Sequence, residues 1–97
     1  MDINSAALAF DALSKPIRIQ IFQILVEHFE NGITPTEIAK LMDGMQRNTL
    51  SFHLSLLSQA GLCKSEKKGK CIIYKPKGCH LRAVADFLIK DCCPKNA

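Results

Sequence analysis

Residues 34–61 read TPTEIAKLMDGMQRNTLSFHLSLLSQAG and contain the pattern on which the fold depends. Thr34 can cap a helix that begins at Pro35, and Glu37 can reach back to the cap. These three residues predict the start of a short helix. Its apolar positions, which should face a core, are Ile38, Ala39, Leu41 and Met42.

A tight turn at Asp43-Gly44 should separate this helix from a second one, which is predicted to run from about Gln46 to Gln59. The second helix has an apolar stripe at positions i, i+4 and i+7. Its other side is polar and short-chained, and it lacks the Glu/Lys pairs of an ordinary solvated helix. The residues of the apolar stripe are Leu50, Leu54 and Leu57, and those of the polar side include Arg47, Asn48, Ser51 and Ser55.

Two further helices are predicted before this pair, from about Asn4 to Leu13 and from Pro16 to Phe29, the second followed by Asn31-Gly32. With 97 residues and 47% hydrophobic content, the chain is expected to form one domain over residues 1–97. No signal peptide or membrane-spanning stretch is recognisable, so a cytoplasmic protein without membrane contact is expected.

After the pair, two β-capable runs at 62–66 and 71–75 flank a basic tip, 67–70, which contains a glycine and predicts a hairpin. A last helix should run from about Cys79 to Asp91. It is apolar on more than one face, so it needs a second partner surface, and a homodimer is expected. The fold class is therefore mainly α with one β-hairpin.

Charge is concentrated in one third of the chain. Between Arg47 and Lys77 there are seven basic residues and one acid, Glu66, so this segment carries +6, whereas the whole chain carries +4. A positive field confined to one segment indicates a polyanionic partner. The alternative is a solvated, lysine-rich hairpin.

A capped helix, a turn, a second helix with a polar face and a basic hairpin together form a winged helix-turn-helix, for which double-stranded DNA is the expected partner. The DNA major groove admits one helix, and Gln, Asn and Arg side chains can bond base edges there. The residues predicted to face bases are Gln46, Arg47, Asn48, Thr49 and Ser51, and those predicted to lie on phosphates are Lys67, Lys68 and Lys70.

Three further side chains allow more than one interpretation. Phe52 could touch a thymine methyl group or be half-buried. His53 could contact DNA, act as a ligand, or serve as a structural residue beside Leu54. Arg18 could reach a phosphate or pair with a nearby acid. Cys63 and Cys71, on the hairpin, are expected to face the core as small hydrophobic residues.

The chain also resembles ArsR-type repressors. The similarity lies in Gln46–Leu54, Ala60-Gly61-Leu62, Lys67–Lys70 with Tyr74, and Ala12–Arg18. It implies a homodimer that packs its first and last helices across the interface. It also implies repression of operons for resistance to metals, metalloids or thiol stress, with the DNA released when an inducer binds.

The resemblance also directs attention to the inducer site. The cysteine pair that some members carry in the third helix is absent. Of the ligands expected for a zinc site across the last helices, only His80 and Asp91 are present. Asp91-Cys92-Cys93-Pro94 resembles a subgroup of arsenic-responsive repressors that end in adjacent cysteines. Two soft thiolates suit a thiophilic ion, and Pro94 favours a helix end that lets the sulfurs converge.

The expected inducer is arsenite, antimonite or a methylated trivalent arsenical held by Cys92 and Cys93. Cys79 is the candidate for a third thiolate, if the last helices run antiparallel across the dimer. A thiol redox or persulfide sensor, a zinc-type sensor and two incidental cysteines remain as alternatives. No cofactor is expected, and an enzyme is disfavoured because no nucleophile–base constellation is recognisable. A winged helix used only for protein contacts is disfavoured by the +6 segment.

Overall fold

The computed structural model describes residues 1–90. It confirms a mainly α chain with one two-stranded antiparallel hairpin, in the predicted order of elements. The elements are α1 (Ile3–Ala12), α2 (Pro16–Glu27), α3 (Pro35–Leu41), α4 (Arg47–Gln59), β1 (Cys63–Lys68), β2 (Cys71–Pro76) and α5 (Gly78–Ile89).

The second helix is two residues shorter than predicted, because His28 ends it. The His28 backbone N–H bonds the carbonyl of Leu25, and its ring Nδ1 lies 2.8 Å from the carbonyl oxygen of Ile24. These contacts occupy the last carbonyls of α2, and the chain turns away. Gly32, which was expected to cap the helix, instead ends the following turn at a φ of 77°.

The capping box at the start of α3 is confirmed. The Glu37 N–H donates to the Thr34 hydroxyl at 3.2 Å, and the Glu37 carboxylate accepts from the Thr34 N–H at 3.2 Å. The N–H and the hydroxyl of Thr34 both donate to the Glu37 carboxylate and hold its pKa below the usual value. The predicted turn between α3 and α4 places both Asp43 and Gly44 in the left-handed region, at φ of 57° and 75°.

The hairpin, called the wing below, pairs β1 with β2 from Cys63 opposite Pro76 to Lys68 opposite Cys71. Its turn is therefore Gly69-Lys70, and the strands reach further than predicted. A connection missed in the sequence ties the wing to the helices: Ile33 and Tyr74 exchange two backbone hydrogen bonds, of 3.1 and 2.8 Å.

The core lies between α4 and the elements around it, since α4 contacts α1, α2, α3 and β1. The leucine stripe of α4 is buried as predicted. Cys63 is buried, but the expectation for Cys71 was wrong because its side chain is exposed. The largest fully buried side chains are Ile21, Leu25, Ile33, Ile38, Leu50, Leu54, Leu57, Leu62 and Val84.

The last helix contributes little to this core. Val84 is its one buried residue, and Leu81 packs against the core from the side. Much of its remaining apolar surface, including Phe87, Leu88 and Ile89, is exposed. None of the helices within residues 1–90 is long and apolar enough to cross a membrane.

Candidate nucleic-acid interface

The outer face of α4 is exposed along the first two turns. Five polar residues predicted to meet bases all lie at the surface, and Phe52 beside them is 59% exposed, not half-buried. The apolar stripe on the opposite face fixes the rotation of the helix, so this polar side must face away from the core. The five polar residues are Gln46, Arg47, Asn48, Thr49 and Ser51.

The wing lysines Lys67, Lys68 and Lys70 are exposed. Lys70 lies in a groove shared with Arg47 and Ser51 of α4, whereas Lys67 and Lys68 line a separate groove. Glu66, the acid of the positive segment, lies 3.7 Å from Lys64 and 3.3 Å from Lys75. These two lysines, which lie further from the turn of the wing than Glu66 does, offset its negative charge. The end of the wing therefore stays positive.

A groove runs between α3, α4 and the wing. Thr36, Arg47, Ser51, Lys70, Ile72 and Tyr74 are among the residues that line it. Arg47 does not extend straight out from α4: its Nη1 donates to the Thr36 hydroxyl at 3.0 Å. Thr36 was not singled out in the sequence, although its place on the exposed side of the capped helix was a signal that could have drawn attention to it.

Arg18 adopts neither of the two roles considered for it. Its side chain is buried, and its Nε donates to the Ala12 carbonyl at 2.6 Å, while Nη2 lies 3.5 Å from the Asp11 carbonyl. The guanidinium thus binds carbonyls at the end of α1. The spacing contained the signal, because Arg18 shares a helical face with the buried Ile21 and Leu25.

His53 is half-buried beside that guanidinium, with its Nδ1 3.4 Å from Nη1 of Arg18. Its ring also packs edge-on against Phe52, with centroids 5.6 Å apart. Burial and the Arg18 charge lower the pKa of His53. These contacts match the structural interpretation of His53 more closely than a DNA contact.

The cysteines assigned to the inducer fall in two regions. Cys92 and Cys93 lie outside the described residues, and Cys79 is exposed in the first turn of α5. His80 packs its ring close to Gly61, the left-handed residue that follows α4. Within residues 1–90 no three His, Cys, Asp or Glu side chains are grouped closely enough to hold a metal ion.

The chain is similar to known proteins in sequence and in fold. A family described as a helix-turn-helix domain matches residues 13–66. YbzH of Bacillus subtilis (strain 168), an uncharacterized HTH-type transcriptional regulator, is 35% identical over 91 residues, covering 81% of this chain and 90% of that protein.

Solved structures of transcriptional regulators have the same fold as this chain. An ArsR-like transcriptional regulator from Rhodococcus sp. RHA1 superposes with a TM-score of 0.81 at 27% identity, covering 91% of this chain and 79% of that one. A homodimeric winged helix-turn-helix DNA-binding domain from Mycobacterium bovis, described as a possible ArsR-family transcriptional regulator, superposes with a TM-score of 0.72 at 24% identity. That alignment covers 90% of this chain and 78% of the other.

The family match spans the capped helix, the turn, α4 and the start of the wing, which are the parts that form the exposed polar face. The fold of the solved relatives extends over nearly all of the described residues. The chain therefore belongs to the helix-turn-helix family of transcriptional regulators and has the winged-helix fold of its ArsR-like relatives.

Proposed function

We propose that the protein is a homodimeric repressor that binds operator DNA and releases it when a trivalent arsenical binds near the end of the chain. The observation that carries the DNA-binding part is the exposed polar face of α4 beside the positive end of the wing. In this arrangement α4 enters the major groove and the wing lysines lie along the phosphates.

The dimer is supported by apolar surface that the single chain leaves exposed at two contacting helices. On α1, Ile3 is 75% exposed and Leu8 is 47% exposed, and on α5 Leu88 is 62% exposed. The helices α1 and α5 contact each other, and each leaves apolar surface that a second copy can cover. Two recognition helices would then meet major-groove sites about one helical turn apart.

The inducer part rests on Cys92 and Cys93, which come three and four residues after the last residue of α5 in the sequence. Thiolates are the preferred ligands of soft, thiophilic ions, and chelation of one centre requires both sulfurs to converge. Since α5 carries part of the dimer surface, reordering its end can change the spacing of the two recognition helices. A coupling free energy of about 1–3 kcal/mol would lower DNA affinity roughly 5- to 150-fold.

DNA binding is tested first, with the purified chain and a library of duplexes about three helical turns long whose central bases are random. We expect the bound fraction to be enriched in a palindromic site and the affinity to fall with salt. Binding that is insensitive to salt, or no binding at any salt concentration, would overturn the proposal.

The inducer is tested by titrating the resulting complex with arsenite, antimonite, a methylated trivalent arsenical, zinc and a persulfide. Cys92→Ser and Cys93→Ser should each bind DNA normally but fail to release it, while the matched control Cys71→Ser should respond like the native chain. Cys79→Ser distinguishes the two ligand sets: loss of the arsenite response alone indicates a third thiolate from Cys79.

A normal arsenical response in the Cys92→Ser, Cys93→Ser double variant would exclude the pair as the inducer site. Release by the persulfide alone, with a Cys–Cys link found by mass spectrometry, would identify a thiol redox sensor on the same scaffold. Release by zinc alone would identify a zinc-type sensor.

A further inference from the structure

The side chain of Arg47 is directed along the protein surface by its contact with α3. Its Nη1 donates to the Thr36 hydroxyl at 3.0 Å, and both side chains are exposed. A guanidinium has five N–H donors, so one hydrogen bond to Thr36 leaves the others available. The Thr36 oxygen accepts this bond, and its own O–H can still donate to a further partner.

The groove that contains this guanidinium has a positively charged and hydroxyl-bearing lining, which suits an anion. Arg47 and Lys70 contribute two positive charges from opposite walls, and Ser51 and Tyr74 add hydroxyl groups. None of the described residues that line it is acidic. The nearby Glu37 carboxylate accepts hydrogen bonds from the backbone N–H and the hydroxyl of Thr34, within the capping box.

We infer that Thr36, Arg47 and Lys70 form a slot for one DNA phosphodiester, so that Arg47 holds the backbone of the operator and does not read a base. This inference rests on the proposed function and refines it. A guanidinium matches two phosphate oxygens in a bidentate fork, and the Thr36 hydroxyl keeps that fork turned toward the groove. Base reading then falls to the exposed Gln46, Asn48 and Thr49.

The two roles of Arg47 give different signatures. A phosphate contact contributes to every duplex equally and adds about one unit to the slope of log K against log salt, whereas a base contact changes preference at one position. We therefore expect Arg47→Ala to bind all duplexes of the random library about tenfold more weakly at low salt and to lose about two units of slope, one from each copy in the homodimer. The base preferences recovered from the library should match those of the native chain.

Asn48→Ala is the matched control, because it removes an exposed, uncharged side chain at the next position of α4. It should alter the base preference at one position and leave the salt slope unchanged. If Arg47→Ala instead removes a guanine preference and keeps the slope, Arg47 reads a base and the inference is wrong. If the native chain binds no duplex, it is the proposed function that fails.

Thr36 is inferred to position the Arg47 side chain, and the test removes only the Thr36 hydroxyl group. Thr36→Val should weaken binding to all duplexes about threefold, and Thr36→Ser should restore it, because only the valine lacks the oxygen that accepts from Arg47. In the Arg47→Ala background, Thr36→Val should have a smaller effect, which a double-mutant cycle measures. Strictly additive effects of the two substitutions would contradict the positioning role.

Discussion

Arg18 shows how one buried charge can join three helices. It lies near the start of α2, binds the carbonyls of Ala12 and Asp11 at the end of α1, and touches His53 on α4. A cation is favourable at a helix C-terminus, where carbonyls lack partners within the helix. The side chain therefore fixes the packing of α1 against the helix that carries the DNA-binding face.

Replacing this guanidinium should be costly. In Arg18→Met the carbonyls of α1 lose their charged donor inside the protein, and we expect unfolding in urea to require about 2–3 kcal/mol less free energy. Lys15→Met is the matched control, since Lys15 is an exposed cation three residues earlier and should change stability by less than about 0.5 kcal/mol. Equal effects of the two substitutions would contradict the bridging role.

His53 should make stability depend on pH. Its pKa is lowered in the folded chain, by burial first and by the Arg18 charge second, so the unfolded chain binds a proton at higher pH than the folded one. Above the ordinary histidine pKa of about 6.5 both states are neutral, and stability falls as the pH drops below that value.

The measurement compares urea midpoints of the native chain and His53→Gln between pH 8 and pH 5, a range of about 1.5 units on either side of the ordinary pKa. Glutamine keeps an oxygen that can accept from Arg18 but does not titrate in this range. The native chain should lose more stability than the variant on acidification, and parallel curves would show that His53 is not responsible.

Cys63 and Cys71 should react differently with iodoacetamide. Burial raises the pKa of the Cys63 thiol and outweighs the Ser58 hydroxyl, 3.2 Å from the sulfur, which lowers it. Cys63 should therefore be alkylated only after unfolding. Cys71 is exposed in the groove between α4 and the wing and should react in the folded chain.

Bound duplex DNA should protect Cys71, because the proposed complex covers that groove. Peptide mass spectrometry of chain alkylated with and without duplex measures this protection. Unchanged labelling of Cys71 in the bound complex would show that DNA does not occupy the groove.

The wing supplies charge from two strands that are held by pairing with each other and with Ile33. Because its end lysines are exposed, they should act on DNA through phosphates and not through base edges. Lys67→Ala, Lys68→Ala and Lys70→Ala combined remove six lysines from the proposed homodimer. They should weaken binding to all sequences and lower the salt slope by about five units. Fluorescence anisotropy across a salt series measures both quantities.

The matched control for the wing is the combined substitution of Lys15, Lys40 and Lys90 by alanine, which removes the same charge from exposed positions outside the wing. It should leave the slope within about one unit of the native value. A wing variant that keeps the native slope would show that the wing does not contact phosphates.

The complete molecule is proposed to be two copies joined through α1 and α5. Leu88 is exposed in the single chain, so Leu88→Glu should leave the fold intact but place an unpaired charge in the dimer interface. We expect sedimentation equilibrium to show dimerisation weakened at least about tenfold. Leu41→Glu, at an exposed leucine of α3, should leave the dimer unchanged.

A folded, stable monomer of the native chain at all concentrations would contradict the dimer and also the proposed release mechanism. In that mechanism Cys92 and Cys93 affect DNA binding only through the joined pair of recognition helices. DNA affinity of Leu88→Glu should accordingly fall together with its dimerisation.

The order of elements, the capping box of α3, the leucine stripe of α4 and the positive wing were all determined by the sequence. Each depends on residues within a few positions of one another, where helical spacing, caps and turn chemistry act. The family of the chain was recognisable for the same reason, since its motifs lie in these local segments.

Only the tertiary structure decided four features of the chain. They are the burial of Arg18, the exposure of Cys71, the bridge between Ile33 and Tyr74, and the contact between Thr36 and Arg47. The partners of each contact come from different elements, so their meeting depends on how the helices and the wing pack. Cys71 is exposed although it shares a strand face with the buried Ile73, because it lies opposite Lys68 in the last pair before the turn of the wing, further from the core. The local sequence pattern does not predict these contacts and exposures. They depend on the free energy of packing between segments that are distant in the sequence.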